Sequence, residues 1–332
     1  MPIIFFYLFI ITSVQLTADP SEKIVTFTKR IVLEKFPEAF NPSLIRFNEN
    51  FLLTFRYCPN RYYQPWLAYI GVVLLNDLLE PISEPVLLNS RVGNSNTPSQ
   101  SEDARVFSFQ GKLYLIFNDS LDVFFPQTYD RRDMYMAELT YENGQFSLSP
   151  PLKLIYEEKY HTQNWQKNWV PFEWNNILLM SYSINPHEVI YPNLINGFCY
   201  RCYDSRPNIK WDYGTLRGST PPLLLDGEYF AFFHSGIPNI SKASYGQPMW
   251  HYYMGAYTFS ASPPFQITKM TPEPIIAEGF YTQSRYEKRV IFPGGCVISG
   301  DRIYVAYGKD DYELWIAIID KKALMKTMIT VK

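Results

Sequence analysis

The sequence predicts an all-β fold, a single five-bladed β-propeller, and three observations carry this prediction. A two-strand cassette recurs five times, each copy with polar or Gly/Pro residues, a short apolar run, a turn and a second apolar run. The two ends of the cassette are fifteen residues apart in every copy, and the copies begin 51 to 73 residues apart. Aromatic residues make up 17% of the chain, which suits strands. Repeats of this period are typical of propellers, whose inner strands surround one central channel.

The elements follow in chain order. Residues 23–32 alternate roughly like a strand and are predicted to close the ring against the last blade. The cassettes of the five blades are residues 41–56, 102–117, 168–183, 219–234 and 292–307. In the fourth blade a strand is predicted to end at His234, followed by a Gly/Ser/Pro-rich loop to His251. A short helix is predicted at 321–328.

The repeats use nearly all of the 332 residues, so a single catalytic domain is predicted over 23–330. Before it, residues 3–14 form an apolar run that is too short to span a bilayer and is typical of a signal-peptide core. Residues 1–18 are therefore predicted to be a signal peptide or an N-terminal hydrophobic anchor, with a first buried strand as the alternative. A signal peptide implies an exported protein, periplasmic or secreted; otherwise the protein is membrane-anchored or cytoplasmic.

Charge and motifs exclude several functions. Lys and Arg total 30 against 32 acidic residues, so no basic field favours nucleic acid. The chain has no Gly-rich phosphate loop, HExxH or GxSxG motif, which leaves NTPases, zincins and α/β-hydrolases without support. Cys199 and Cys202 have metal-ligand or redox spacing, but no second pair accompanies them. We favour a structural pair or packed thiols over a zinc site, and expect no metal and no cofactor.

Polar residues concentrate at the cassette ends. In an antiparallel hairpin the start of the first strand and the end of the second lie side by side, so these residues should meet at the channel mouth. They are Asn41, Arg56, Glu102, Asp103, Arg105, Asn118, Asp119, Lys167, Asn168, His187, Arg217, His234, Asp310 and Asp311. Apolar packing does not explain so many ionisable groups, because unpaired buried charge is costly. Paired staples between blades, Glu102 with Arg105 and Asp103 with Arg217, are the alternative interpretation.

A carboxylate among cations and amides fits glycosyl transfer, in which an acid protonates the leaving oxygen while a nucleophile attacks the anomeric carbon. Asp119 is the best candidate acid, because it ends an inner strand beside a wet channel without an adjacent cation. Cations suited to an anionic co-substrate such as phosphate are Arg56, Arg105, Lys167 and Arg217.

Ten motifs in order resemble glycoside hydrolase family 130: FNPS, LLTFR, EDAR, FND, QKNWVPF, GSTPP, FFHS, YMGAYTF, FPGG and YGKDD. The resemblance covers residues 38–320. It implies a five-bladed propeller that acts on β-mannosides, in most members as an inverting phosphorylase and in some as a hydrolase.

By position, the resemblance implies that Asp119 is the proton-donating aspartate, acting through a sugar hydroxyl. The expected substrate-binding set is Asn41, Arg56, Asp103, Arg105, Asn118 and Asp311. The expected phosphate- or anion-binding set is Lys167, Asn168, His187, Arg217 and His234.

The sequence departs from the family pattern at three places that bear on the predicted function. EDAR replaces the usual EDPR, Asn118 stands where Tyr is common, and Asn185-Pro186-His187 replaces an expected arginine. The missing arginine weakens the assignment as a phosphorylase. A β-mannosyltransferase that uses a nucleotide sugar, and a sugar-binding propeller without catalysis, are the alternatives. The expected partners are thus a β-mannoside or related oligosaccharide, with inorganic phosphate or a nucleotide sugar, and no nucleic acid.

Overall fold

A computed structural model describes residues 23–60, 67–93, 98–120, 132–159, 165–240, 248–282 and 289–332, and the signal-peptide prediction lies outside these ranges. The fold is a five-bladed β-propeller, as predicted. The N-terminal strand is β1 (Val25–Ile31). Blade I contains β2 (Phe40–Phe47), β3 (Asn50–Tyr57), β4 (Tyr69–Leu75) and β5 (Val86–Leu87). Blade II contains β6 (Glu102–Phe109), β7 (Lys112–Asp119), β8 (Asp133–Glu142), β9 (Gln145–Leu148) and β10 (Leu152–Tyr156).

The remaining blades follow a 3₁₀ turn at Glu157–Lys159. Blade III contains β11 (Val170–Trp174), β12 (Ile177–Ile184), β13 (His187–Pro192) and β14 (Phe198–Ser205). Blade IV contains β15 (Thr215–Gly218), β16 (Leu223–Leu225), β17 (Glu228–Ile240), β18 (Pro248–Ser260) and β19 (Ile267–Met270). Blade V contains β20 (Ile291–Ser299), β21 (Arg302–Lys309) and β22 (Glu313–Asp320). Helix α1 (Lys321–Thr327) and β23 (Ile329–Thr330) end the chain.

Both ends of the chain complete blades built by other segments. Strand β1 pairs antiparallel with β22 and supplies the outer strand of blade V, which confirms the predicted ring closure. Strand β23 pairs with β19 of blade IV. Helix α1 is capped by the Asp320 carboxylate, which accepts a hydrogen bond from the Ala323 N–H at 2.8 Å. The described part of the chain contains no helix long and apolar enough to cross a membrane.

The hydrophobic core is divided among the five interfaces between neighbouring blades. Between blades IV and V, for example, Phe230 and Phe232 pack with Val305 and Ile319. Comparable clusters join blades V and I, I and II, II and III, and III and IV. Each blade therefore buries both faces of its sheet, and the ring places the starts of its inner strands around one channel.

Two cassette turns and the turn between β8 and β9 are tight two-residue hairpins. Both central residues have positive φ in Gln110-Gly111, Asp226-Gly227 and Asn143-Gly144, as hairpins of type I′ require. In contrast, the predicted loop after His234 is wrong as far as Ile240, because β17 and β18 continue there as a two-stranded ribbon. Past Gly236, β17 has left its partner β15, and on such an edge a proline such as Pro238 is tolerated.

Candidate active site

A cavity of about 380 Å³ opens at the channel end where the inner strands begin. It is lined by four arginines and lysines, three carboxylates, amides and aromatic rings, so it holds one more permanent cation than carboxylate. The lining residues are Phe40, Asn41, Arg56, Cys58, Leu67, Ala68, Glu102, Asp103, Arg132, Lys167, Asn168, Arg217, His234, Tyr252, Phe292 and Asp311. Eight of the twelve predicted site residues thus lie in one cavity, brought there from all five blades.

Backbone distortions aim the polar side chains into this cavity. Asn41, Asp103 and Asn168 stand at the starts of three inner strands with φ of 47°, 54° and 66°. The pairing register shifts beside Asn41 and Asp103, as at a β-bulge. Asn and Asp tolerate the left-handed region better than most residues, and bulges re-aim side chains next to active sites. In these three blades a polar residue at the start of the cassette therefore turns towards the channel instead of continuing the strand.

Glu102 is the centre of the charge network. Its carboxylate contacts Arg56 Nη2 at 2.5 Å, Lys167 Nζ at 2.8 Å and Arg132 Nη2 at 2.9 Å. Burial alone would raise the pKa of Glu102, but these three cations hold it well below its usual range. Glu102 is therefore an ionised anchor that fixes three cations. The alternative staple between Glu102 and Arg105 does not form.

Arg105 is fully buried and connects several blades through hydrogen bonds. Its guanidinium donates to the Ser219 carbonyl at 2.9 Å, to the Asp103 carbonyl at 2.8 Å and to Asn168 Oδ1 at 2.9 Å. It also lies over the Phe292 ring, 5.5 Å from the centroid. Burial lowers the pKa of Arg105 to about 10 against the opposing attraction of Asp103. Arg105 was predicted to contact substrate, whereas the structure shows it binding groups from four blades.

On one side of the cavity Asn41 and Asp103 form a hydrogen-bonded pair. Asn41 Nδ2 donates to Asp103 Oδ1 at 2.9 Å, and Arg56 Nη1 contacts the same oxygen at 3.4 Å. The Asn41 Oδ1 atom is buried without a hydrogen-bond partner among the described residues. It lies against Gly308, where an added Cβ would approach it to 2.1 Å. Asp311, also with positive φ, lines the same cavity.

On the other side lie Lys167, Asn168, Arg217 and His234. The Arg217 guanidinium lies over the rings of Trp250 and Tyr252, 5.4 and 5.9 Å from their centroids, and pairs with no carboxylate among the described residues. Burial, together with Arg217, Arg105 and Lys167, lowers the pKa of His234 well below its usual value, so the imidazole is neutral. Its Nδ1 lies 2.6 Å from Ser219 Oγ. This corner offers N–H donors and positive charge to an anion.

Asp119 ends β7 and is 1% exposed, so the expectation that it faces a wet channel is wrong. Its Oδ2 accepts from Ser101 Oγ at 2.6 Å and its Oδ1 from the Ser120 N–H at 2.6 Å. Burial raises the pKa of Asp119 to about 7, although the Ser101 bond and the Arg132 charge act in the opposite direction. A carboxyl group with this pKa carries its proton in a large fraction of molecules at neutral pH, as a general acid requires.

Two predicted residues have other surroundings. Asn118 is buried behind Glu102, with its amide donating to the Glu102 carbonyl at 3.3 Å. His187 lies outside the cavity, at the start of the third strand of blade III. Its ring nitrogens contact the Phe265 carbonyl at 2.6 Å and Ser181 Oγ at 3.0 Å, and burial lowers its pKa to about 4.

Sequence reasoning missed seven cavity residues, among them Arg132 and Tyr252. Arg132 donates to Asn118 Oδ1 at 3.2 Å and to the Gln100 carbonyl at 3.0 Å, besides pairing with Glu102. No local sequence pattern marked it, because it reaches the site only through the pairing of Asp133, the first residue of β8, with Asp119. Tyr252 follows the predicted loop, and only the register that sets it opposite Gly236 brings it to the cavity.

Comparison with known proteins agrees with this architecture. The sequence profile of glycoside hydrolase family 130, described as beta-1,4-mannooligosaccharide phosphorylase, matches residues 18–330. The chain belongs to glycoside hydrolase family 130. This confirms the family resemblance and, with it, an enzyme of the mannoside phosphorylase and hydrolase type acting on β-mannosidic linkages.

Individual members of family 130 are distant in sequence. A 1,2-beta-oligomannan phosphorylase of Thermoanaerobacter sp. (strain X514) is 22% identical over 86% of this chain and 90% of that protein. The beta-1,2-mannobiose phosphorylase of Listeria innocua, solved with beta-1,2-mannobiose, has a TM-score of 0.58 at 14% identity, covering 93% of this chain and 94% of its own. A mannose phosphorylase from Leishmania mexicana, solved with phosphate ion, has a TM-score of 0.59 at 10% identity, covering 93% and 92%. At these identities the solved structures support the fold of this family 130 chain.

Proposed function

We propose that this family 130 enzyme is an inverting phosphorylase that cleaves β-mannosidic bonds with inorganic phosphate. The observation that carries the proposal is the corner formed by Lys167, Asn168, Arg217 and His234. In that corner the Arg217 guanidinium is not neutralised by any described carboxylate. The names of the three phosphorylases above support the choice of phosphate over water.

The geometry suggests a division of labour across the cavity. Asn41, Asp103, Arg56 and Asp311 offer acceptors and donors to the hydroxyls of the mannosyl unit at the scissile bond. Phosphate in the opposite corner then faces the anomeric carbon of that unit.

In the reaction, a phosphate oxygen attacks the anomeric carbon while the bond to the glycosidic oxygen breaks. The leaving oxygen takes a proton that Asp119 supplies through a hydroxyl of the sugar, and Asp119 ends the step as a carboxylate. Attack from the face opposite the leaving group converts a β-mannoside into α-mannose 1-phosphate and a shortened saccharide. Arg132 and Glu102 do not react; their pairing fixes the charge next to Asp119.

The test is product analysis with β-1,2- and β-1,4-mannobiose, each with and without phosphate, and with GDP-mannose plus mannose. Mannose 1-phosphate that forms only when phosphate is added supports the proposal. Release of mannose at the same rate without phosphate would assign a hydrolase, and transfer from GDP-mannose would assign a transferase. Absence of product in every arm would favour a sugar-binding propeller.

Arg217→Gln provides the residue-level test. We expect the KM for phosphate to rise at least tenfold with a smaller change in the KM for the mannoside, because the variant removes a permanent charge from the anion corner. Arg201→Gln is the matched control, since Arg201 is a half-exposed surface arginine that pairs with Glu158. An unchanged phosphate KM in Arg217→Gln would place the phosphate elsewhere.

For location, we propose that the protein is exported and loses its first eighteen or so residues. The apolar run at 3–14 precedes the family match, which begins at residue 18. Amino-terminal sequencing of the mature protein tests this, and a mature chain that starts at Met1 would contradict cleavage.

A further inference from the structure

An aromatic strip leads out of the cavity along the ribbon formed by β17 and β18. Tyr252 lines the cavity, and Trp250 follows two residues away on the same face of the strand. Their ring centroids are 6.5 Å apart, and Trp250 is 42% exposed. The strip therefore continues the cavity wall to the protein surface.

Contacts with Gly236 and Arg217 hold the rings of Tyr252 and Trp250 in position. Gly236 lies beneath both, where an added Cβ would approach the Tyr252 ring to 2.7 Å and the Trp250 ring to 3.2 Å. Without a side chain at this position, the rings rest directly on the backbone. The Arg217 guanidinium holds both rings from the side of the anion corner. Trp250 is thus a positioned, exposed aromatic surface that contributes little to the core.

A second exposed tryptophan stands at the rim on blade III. Trp165 is 51% exposed, with Lys167 Nζ 4.7 Å and the Arg132 guanidinium 5.7 Å from its ring centroid. Both cations line the cavity. Each exposed tryptophan therefore makes a cation–π contact with a side chain that lines the cavity.

We propose that Trp250 and Trp165 form an outer sugar subsite that binds mannosyl units of an oligosaccharide beyond those held in the cavity. The proposal rests on the proposed function. Aromatic faces suit the apolar C–H faces of pyranose rings, which bury apolar surface without requiring a charge or a fixed hydrogen-bond partner. At about 380 Å³ the cavity is at the small end of ligand pockets, which span roughly 300–1,000 Å³. A chain longer than a disaccharide therefore extends past the rim, where the tryptophans lie.

The test compares chain lengths. Steady-state rates with phosphate are measured on mannobiose, mannotriose and mannotetraose of the linkage that the enzyme accepts, for wild type, Trp250→Ala, Trp165→Ala and Trp250→Tyr. We expect the alanine variants to raise the KM for the longer substrates about tenfold, with kcat within twofold and the disaccharide nearly unaffected. Trp250→Tyr should recover most of the loss, because it restores an aromatic face. The control for general surface effects is Tyr200→Ala, because Tyr200 is a 53% exposed aromatic residue on β14.

An equal loss for every chain length, or no loss at all, would overturn the subsite. A second measurement separates this failure from a failure of the proposed reaction. Calorimetric titration of the Asp119→Asn protein with β-1,2- and β-1,4-mannotetraose needs no turnover. If binding is observed and Trp250→Ala in the same background weakens it about tenfold, the subsite stands even if phosphate is not the nucleophile. If neither tetrasaccharide binds, the subsite is refuted.

Discussion

Replacing Asp119 by Asn is the most informative single change in this protein. The substitution preserves size and leaves one oxygen, which can keep the bond from the Ser120 N–H while the new amide NH2 faces Ser101 Oγ. It removes both the transferable proton and the ionisable charge. Turnover should fall by roughly 10²- to 10⁴-fold, the usual contribution of general acid catalysis. The free energy of unfolding should change as well, in a manner that depends on pH.

The size of that change follows from the pKa of Asp119, which is about 7 in the folded protein and 3.8, the ordinary value of an aspartate, in the unfolded chain. This difference corresponds to about 4 kcal/mol between the two protonation states. Between pH 4 and 7 the folded protein retains a proton that the unfolded chain has lost, so stability falls as pH rises and the full penalty is present above pH 7. Asn carries no such penalty. Asp119→Asn should therefore gain stability relative to wild type as pH rises from 5 to 8.

Urea unfolding of both proteins at pH 5, 6, 7 and 8 measures this difference, and the pH–rate profile gives the catalytic pKa independently. Wild-type activity should decline as pH rises past about 7, because the acid loses its proton. Ser101→Ala removes a hydrogen bond that favours the carboxylate, so this decline should move to higher pH. A stability difference that is constant from pH 5 to 8, or an intact rate in Asp119→Asn, would refute the assignment and shift it to Asp103.

Two further predictions concern the architecture of the site. Gly308→Ala should raise the KM for the mannoside and lower the melting temperature, because the new Cβ would lie 2.1 Å from Asn41 Oδ1. Gly300→Ala serves as the stability comparison: its Cβ position has no neighbour within 4 Å, and the strain at its φ of 58° is the cost of the backbone alone. His187→Ala should lower the free energy of unfolding by roughly 2–4 kcal/mol, because it removes a buried ring and its two hydrogen bonds. The KM for phosphate should stay unchanged. A large rise in that KM would place the imidazole in the anion site.

Hairpin geometry explains why so much of the site could be predicted. Because the cassette offset is constant, Phe40 pairs with Arg56 and Arg217 pairs with His234, and the polar strand ends meet as expected. The same argument misplaced His187, since it begins the third strand of its blade, farther from the axis. Position near the end of a third strand is therefore not enough to predict a site residue, since Arg132 and Tyr252 line the cavity whereas His187 does not.

What escaped prediction depends on pairing that no local pattern encodes. Arg132 joins the site because β8 returns beside β7, a register visible only once both strands are placed. The burial of Asp119 likewise follows from Ser101 and Arg132 closing over the end of β7, which the composition of that strand does not indicate.

The pairing of β1 with β22 also constrains when the ring can form. Thr26 Oγ1 donates to the Ile318 carbonyl across 292 positions of the chain, so the first strand to be synthesised waits for nearly the last. Contacts of such long range are slow to form, because loop closure is paid for before they contribute. During synthesis on the ribosome the chain can therefore build single blades but cannot close the ring. The five-blade cavity is a property of the released polypeptide.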